Sequence, residues 1–154
     1  MVYKKGSYVM VSLQGKGAFS GKDIRSKAMT SDYDVEAMEK VVAFDFDGVI
    51  HQGVWTLAEE VNGEMVPGIR KVMVRLFELG YDIEVYTCRA LTKAGRDAVV
   101  KWLNHHGLLR YVARVSASKP IAKVYIDDRA ICFDGDVEGL IENVESFKSW
   151  CEEA

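Results

Sequence analysis

Two carboxylates one residue apart, Asp45 and Asp47, close the apolar run Val41-Val42-Ala43-Phe44, and Gly48 follows at once. The run is short, β-branched at its start and broken by glycine, which reads as a buried strand ending in a tight turn. Successive strand residues point to opposite faces, but a chain already turning can aim both acids at one place. Taking two such carboxylates out of water is costly without a cation, and an all-oxygen donor set suits Mg2+. The same pair also fits a polar strand end leading into a turn. Two further strands end in polar groups: Ile83 to Tyr86 runs into Thr87-Cys88-Arg89, and Val124-Tyr125-Ile126 into Asp127-Asp128-Arg129. Lys119 stands before Pro120, just ahead of the latter.

These groups need elements to carry them. Pro67 suits a first helical turn, Ile69, Val72, Met73, Leu76 and Phe77 recur at helical spacing, and Gly80 supplies a stop. A strand from Tyr81 to Thr87 follows, then a helix over 91–106 with Ala94, Ala98, Val99, Trp102 and Leu103 on one face and Gly107 as terminator. Strands at 111–115 and 124–126, a short segment at 131–133 and a last helix carrying Val137, Leu140, Ile141, Val144, Phe147 and Trp150 complete the series. Strands alternating with helices imply an α/β fold: a three-layer sandwich whose central parallel sheet is covered on both faces. Its ligands are then expected at the carboxyl ends of the strands.

The four strand-end groups, in this order, resemble the motifs of the haloacid dehalogenase superfamily of phosphotransferases, over residues 38 to 150. Asp45 and Asp47 match the first motif, Thr87 the second, Lys119 the third and the Asp127-Asp128 pair the fourth. The resemblance implies a Rossmann-like fold and a Mg2+-dependent phosphoric monoester hydrolase that works through an aspartyl-phosphate. Asp45 is then the nucleophile, and Asp47 protonates the departing oxygen and later takes a proton from water. Relatives that act as dehalogenases lack an acid at the latter position, so Asp47 favours phosphoryl transfer. The cation is expected on an Asp45 carboxylate oxygen, the Asp47 backbone carbonyl and one of the Asp127-Asp128 pair, with Asp128 preferred as direct ligand. Thr87 is expected to donate to a phosphate oxygen, Lys119 to neutralise the aspartyl-phosphate, and Gly48 to lie against substrate. Arg89 can fork onto phosphate or cap a surface loop. Lys123 competes with Lys119 but leads straight into a strand, where a solvated ammonium is expected.

Thr87-Cys88-Arg89 and Asp127-Asp128-Arg129 are also similar to motifs in the phosphatase domain of polynucleotide kinase-phosphatases. That resemblance makes a nucleic-acid 3′-end or nucleotide phosphatase the alternative activity. A noncatalytic binding module on the same fold is a second alternative, disfavoured by the complete set of acids. A cysteine phosphatase is not indicated, because the position six residues after Cys88 is Ala94 rather than arginine. His105 and His106 fit a helix carboxyl end better than a metal site, and His51 lies in a loop where it could touch substrate. About twenty residues, Gly48 to Val66, separate the first motif from the next helix. That is well short of the roughly 40 residues a module needs to fold alone, so no cap domain is expected. Asn62-Gly63 instead suggests a small hairpin flap. An open site suits a large or nucleic-acid-derived phosphorylated substrate, or a small one closed in by a neighbouring subunit of an oligomer.

The composition sets outer limits. Of 154 residues 49% are hydrophobic, enough for one domain with a full core, here expected over 38–154 behind a leader at 1–37. The net charge of −3 gives no global case for nucleic acid, although residues 1–30 carry +5 and the remainder −8. In the leader, Tyr8 to Val11 could be a strand and Asp34 to Lys40 a helical turn. Gly15 to Lys22 superficially resembles a phosphate-binding loop, but the required first glycine is Lys16 and Asp23 stands where a Ser or Thr should hold Mg2+. Three cysteines without metal-type spacing argue against a secreted disulfide framework and for the cytoplasm. No run approaches the roughly 18 apolar residues of a membrane span.

Overall fold

The computed structural model describes residues 39–53 and 60–150. Expectations for the leader, including the 8–11 strand and the 15–22 loop, lie outside these residues. So does most of the helical turn expected from Asp34, of which Glu39 and Lys40 appear as a turn.

Four strands, β1 (Val41–Phe44), β2 (Asp82–Tyr86), β3 (Val112–Ser116) and β4 (Val124–Ile126), form one parallel sheet in the order β3-β2-β1-β4. β1 is central. Val42 and Phe44 face Ile83 and Val85 on one side, and Val124 and Ile126 on the other. β1 is paired on both edges, and Val42, Ala43 and Phe44 are all buried, which accounts for its unbroken hydrophobic run. Helices α1 (Ile69–Glu78) and α2 (Lys93–His105) supply Met73, Val99, Trp102 and Leu103 to a core shared with Val42, Phe44, Phe46, Ile50, Ile83, Val85 and Leu108. The fold is therefore α/β with a parallel sheet, as the alternation of patterns implied. Among the described residues no helix is long and apolar enough to cross a membrane.

Several boundaries differ from expectation for identifiable reasons. α2 starts at Lys93 rather than Leu91, because the Thr92 side chain accepts from the Gly95 amide at 3.0 Å and so caps the helix there. Cys88 to Leu91 instead form a 3-10 turn capped by Thr87. The short segment at 131–133 has no regular secondary structure. The last helix, α3 (Leu140–Ser146), is half the expected length and buries no residue: Ile141 is 73% and Val144 59% exposed. Its apolar spacing records amphipathicity and carries no information on whether a sheet face is there to receive it. The covering of the sheet by a helix on this side, required for a full three-layer sandwich, is thus absent among the described residues.

The flap is built as paired arms. His51 bridges antiparallel to Met65, the Gln52 amide donates to the Glu64 carbonyl at 2.8 Å and Val66 to Ile50 at 3.0 Å. Asn62-Gly63 lies on the returning arm, against His51, rather than midway along the connection; residues 54–59 lie outside those described.

Candidate active site

The carboxyl ends of β1 and β4, adjacent parallel strands in register, deliver Asp45 from one and Asp127 and Asp128 from the other. The Asp45 amide donates to the Ile126 carbonyl at 2.9 Å, extending the pairing one residue past β1 and fixing the acid at the sheet edge. One oxygen from each of Asp45, Asp127 and Asp128 lies within 4.8 Å of the others. Each acid is only partly exposed. Burial, then the charges of Asp127, Asp128 and Asp47, pushes the Asp45 carboxyl up to about 7, against an opposing hydrogen bond from the Phe46 amide at 2.7 Å. Three carboxylates thus share a small, half-buried volume. That donor set fits a hard divalent cation.

Neighbouring groups hold this cluster in place. Asp127 accepts from the Tyr86 hydroxyl at 2.6 Å and the Arg129 amide at 2.8 Å, one on each oxygen. Burial and the bond to Asp127 push the Tyr86 phenol above its ordinary range, so it stays a donor. Asp128 accepts from the buried Ser149 hydroxyl. Gly48 has a φ of +78°, and a Cβ there would stand 2.6 Å from the Asp128 carboxyl carbon. Glycine is thus needed both for the turn and for the carboxylate beside it. The Gly48 carbonyl accepts from the Trp150 indole at 2.8 Å, so Ser149 and Trp150 cross back over the first and fourth motifs.

Asp47 occupies a different environment. Its carboxylate is 8% exposed and receives the Arg89 fork, Nε to Oδ2 at 2.7 Å and Nη2 to Oδ1 at 2.9 Å. His51 Nδ1 lies 3.0 Å from Oδ1. Burial alone would raise the Asp47 carboxyl, but the bonds from His51 and Arg89 and the guanidinium charge outweigh it and hold the group below its ordinary value. An acid in this state is an anion, not a proton donor. Arg89 is itself 7% exposed and directed at Asp47, whereas a fork onto phosphate or a surface cap was expected. Gly95 makes this loop possible: a Cβ there would lie 2.1 Å from the Arg89 carbonyl oxygen.

The other expected groups are placed as follows. Buried Thr87 accepts the Arg89 amide at 3.2 Å, leaving its hydroxyl proton to donate. Lys119 is exposed, with its ammonium 4.1 Å from the centre of the Tyr125 ring, and among the described residues it forms no ion pair. Tyr125 meets Tyr86 edge-on, which joins Lys119 to the Asp127 side of the cluster through two rings. Lys123 pairs with Glu39 on the surface, in keeping with a solvated ammonium. Desolvation and the charges of Asp47 and Asp45 hold the Cys88 thiol up, which suits a passive side chain.

Neither a family model nor a curated protein matches the chain. Among solved structures, a conserved protein from Bacteroides thetaiotaomicron is similar at 21% identity and a TM-score of 0.48, over 75% of this chain and 97% of that one.

Tyr86, Ser149 and Trp150 join the site without having been expected there. Tyr86 was visible as the residue before Thr87 on the same strand. Ser149 and Trp150 carried no signal, because they reach the site only through the fold of a segment expected to be helical.

Proposed function

We propose that this protein is a Mg2+-dependent phosphoric monoester hydrolase of the haloacid dehalogenase type, with Asp45 as nucleophile. The observation that carries the proposal is the convergence of Asp45, Asp127 and Asp128 at the carboxyl edge of two adjacent parallel strands. Asp45 and Asp128 would be direct ligands. Asp127, with each oxygen already accepting a hydrogen bond, would serve mainly to orient the site. Bound there, the cation supplies the charge neutralisation that lets an anionic carboxylate approach an anionic phosphate.

In the proposed reaction an Asp45 carboxylate oxygen forms a bond to phosphorus, and the bond from phosphorus to the leaving oxygen breaks with its electron pair. The Phe46 amide on the other Asp45 oxygen keeps the carboxylate oriented. The Thr87 hydroxyl donates to a phosphoryl oxygen. In the second step water attacks phosphorus, the acyl-phosphate bond breaks, and Asp47 accepts the water proton. Ionised Asp47 is equipped for that step. To protonate a leaving group it must first be loaded with a proton against the pull of Arg89 and His51.

A panel of phosphomonoesters tests the reading: nucleotides, sugar phosphates, phosphopeptides and 3′-phosphorylated oligonucleotides, with Mg2+ and with chelator. Release of phosphate from at least one class, abolished by chelator, supports it; selective, salt-sensitive turnover of the oligonucleotides identifies the 3′-end activity. No turnover of any class would favour the noncatalytic module.

A further inference from the structure

His51 is 4% exposed, and both of its ring nitrogens are engaged: Nδ1 with Asp47 Oδ1 at 3.0 Å and Nε2 with the Asn62 carbonyl at 2.8 Å. Both partners present acceptor oxygens, one to each side of the ring. The imidazole is held in one plane by Phe46, stacked at 5.4 Å, and by Trp102, edge-on at 5.5 Å. Trp102 in turn donates to the Gly63 carbonyl at 3.0 Å, so the returning arm is tied at successive carbonyls, Asn62 by His51 and Gly63 by Trp102. The arrangement exceeds what burying a histidine requires. The ring spans from a strand-end acid to the main chain of a separate arm.

We propose that His51 is a positioning residue, a strut that sets the orientation of the Asp47 carboxylate and anchors the returning flap arm to it. The inference rests on the reading that Asp47 takes part in phosphate-ester hydrolysis. Arg89 grips both Asp47 oxygens through its fork, and His51, from a different segment of the chain, adds a further contact at Oδ1. A misplacement of about 1 Å in a reacting constellation can cost on the order of 10²-fold in rate, so the restraint has a kinetic consequence.

Two substitutions separate the bonds. His51→Asn puts an amide N–H near the Nδ1 position and keeps the Asp47 bond while losing the one to Asn62. His51→Gln reaches the Nε2 position and does the reverse. Each is measured for kcat and KM on the best substrate of the panel, and for hydrogen exchange at the Gln52 and Val66 amides, which bond across the arms. The strut predicts that His51→Gln loses about tenfold or more in kcat at little change in KM. Its arm amides should stay protected. His51→Asn should keep kcat within about threefold while the same amides exchange faster by about tenfold. Equal kcat losses, or equal exchange in the two variants, would overturn the proposal. If the wild-type protein turns over nothing, the phosphatase reading fails separately. The exchange comparison then decides alone: faster exchange in His51→Asn than in His51→Gln sustains the strut, and no difference overturns it.

Discussion

Replacing Arg89 by methionine keeps most of the side-chain volume and removes the fork from Asp47. Arg89 and Asp47 side chains are 4% and 8% exposed, so the carboxylate left behind has little water to turn to. Breaking a buried pair by removing one partner costs about 3–5 kcal/mol, because an uncompensated charge remains. His51 still donates to Oδ1, which places the expectation at the lower end, about 3 kcal/mol. For a domain of this size that is a fall of roughly 10 °C in Tm. The pH dependence has a definite sign. Asp47 is depressed in the folded protein, so its stabilising contribution is present above the ordinary carboxylate value near 4 and is lost as pH falls through the lower folded value. Arg89→Met raises the folded value, so the gap from wild type should be widest near neutrality and should close on acidification. Adding Asp47→Asn removes the stranded charge, and the double variant should be more stable than the sum of the singles by at least about 1 kcal/mol. Urea unfolding at several pH values measures all of this. A single variant within about 1 kcal/mol of wild type, or an additive cycle, would refute the claim that the two side chains act as one buried unit.

Two further outcomes follow from the cluster. Asp45 is raised to about 7, so it is protonated when the metal-free protein folds at lower pH. Metal-free stability should therefore decline as pH rises from about 4 to 7 and level off above, while Mg2+ affinity by calorimetry should strengthen over that interval; the opposite trends would show that Asp45 is not in the metal site. Ser149→Ala removes the hydroxyl that holds Asp128 and should weaken Mg2+ binding by about 10-fold or more with the fold retained, as judged by circular dichroism. Unchanged affinity would leave Ser149 with no role in placing Asp128.

What was legible in the sequence depended on whether the signal was local. β1 announced itself because Val42, Ala43 and Phe44, which alternate between the two faces, are all buried and so all apolar. The meeting of Asp45 with Asp127 and Asp128 was expected from the motif resemblance; its physical basis is that β1 and β4 are parallel neighbours in register and so end at the same edge. The partnership of Asp47 with Arg89 did not follow, because the residues are 42 apart and each had a more conventional use as proton carrier or phosphate ligand. His51 looked like a loop residue, since its contacts depend on the arm pairing. The last helix was overextended because Val137 to Trp150 keep helical spacing past the point where Phe147 turns extended. That turn is what brings Ser149 and Trp150 onto the site.

Trapping tests most directly whether Asp45 is the nucleophile of a Mg2+-dependent phosphoryl transfer. The protein is mixed with Mg2+ and a radiolabelled phosphomonoester drawn from the reactive class, quenched in acid and mapped by peptide. Label on the peptide containing Asp45, labile to hydroxylamine and absent with chelator and from Asp45→Asn, is the predicted result. Turnover that persists in Asp45→Asn, or a covalent label on another residue, would contradict it.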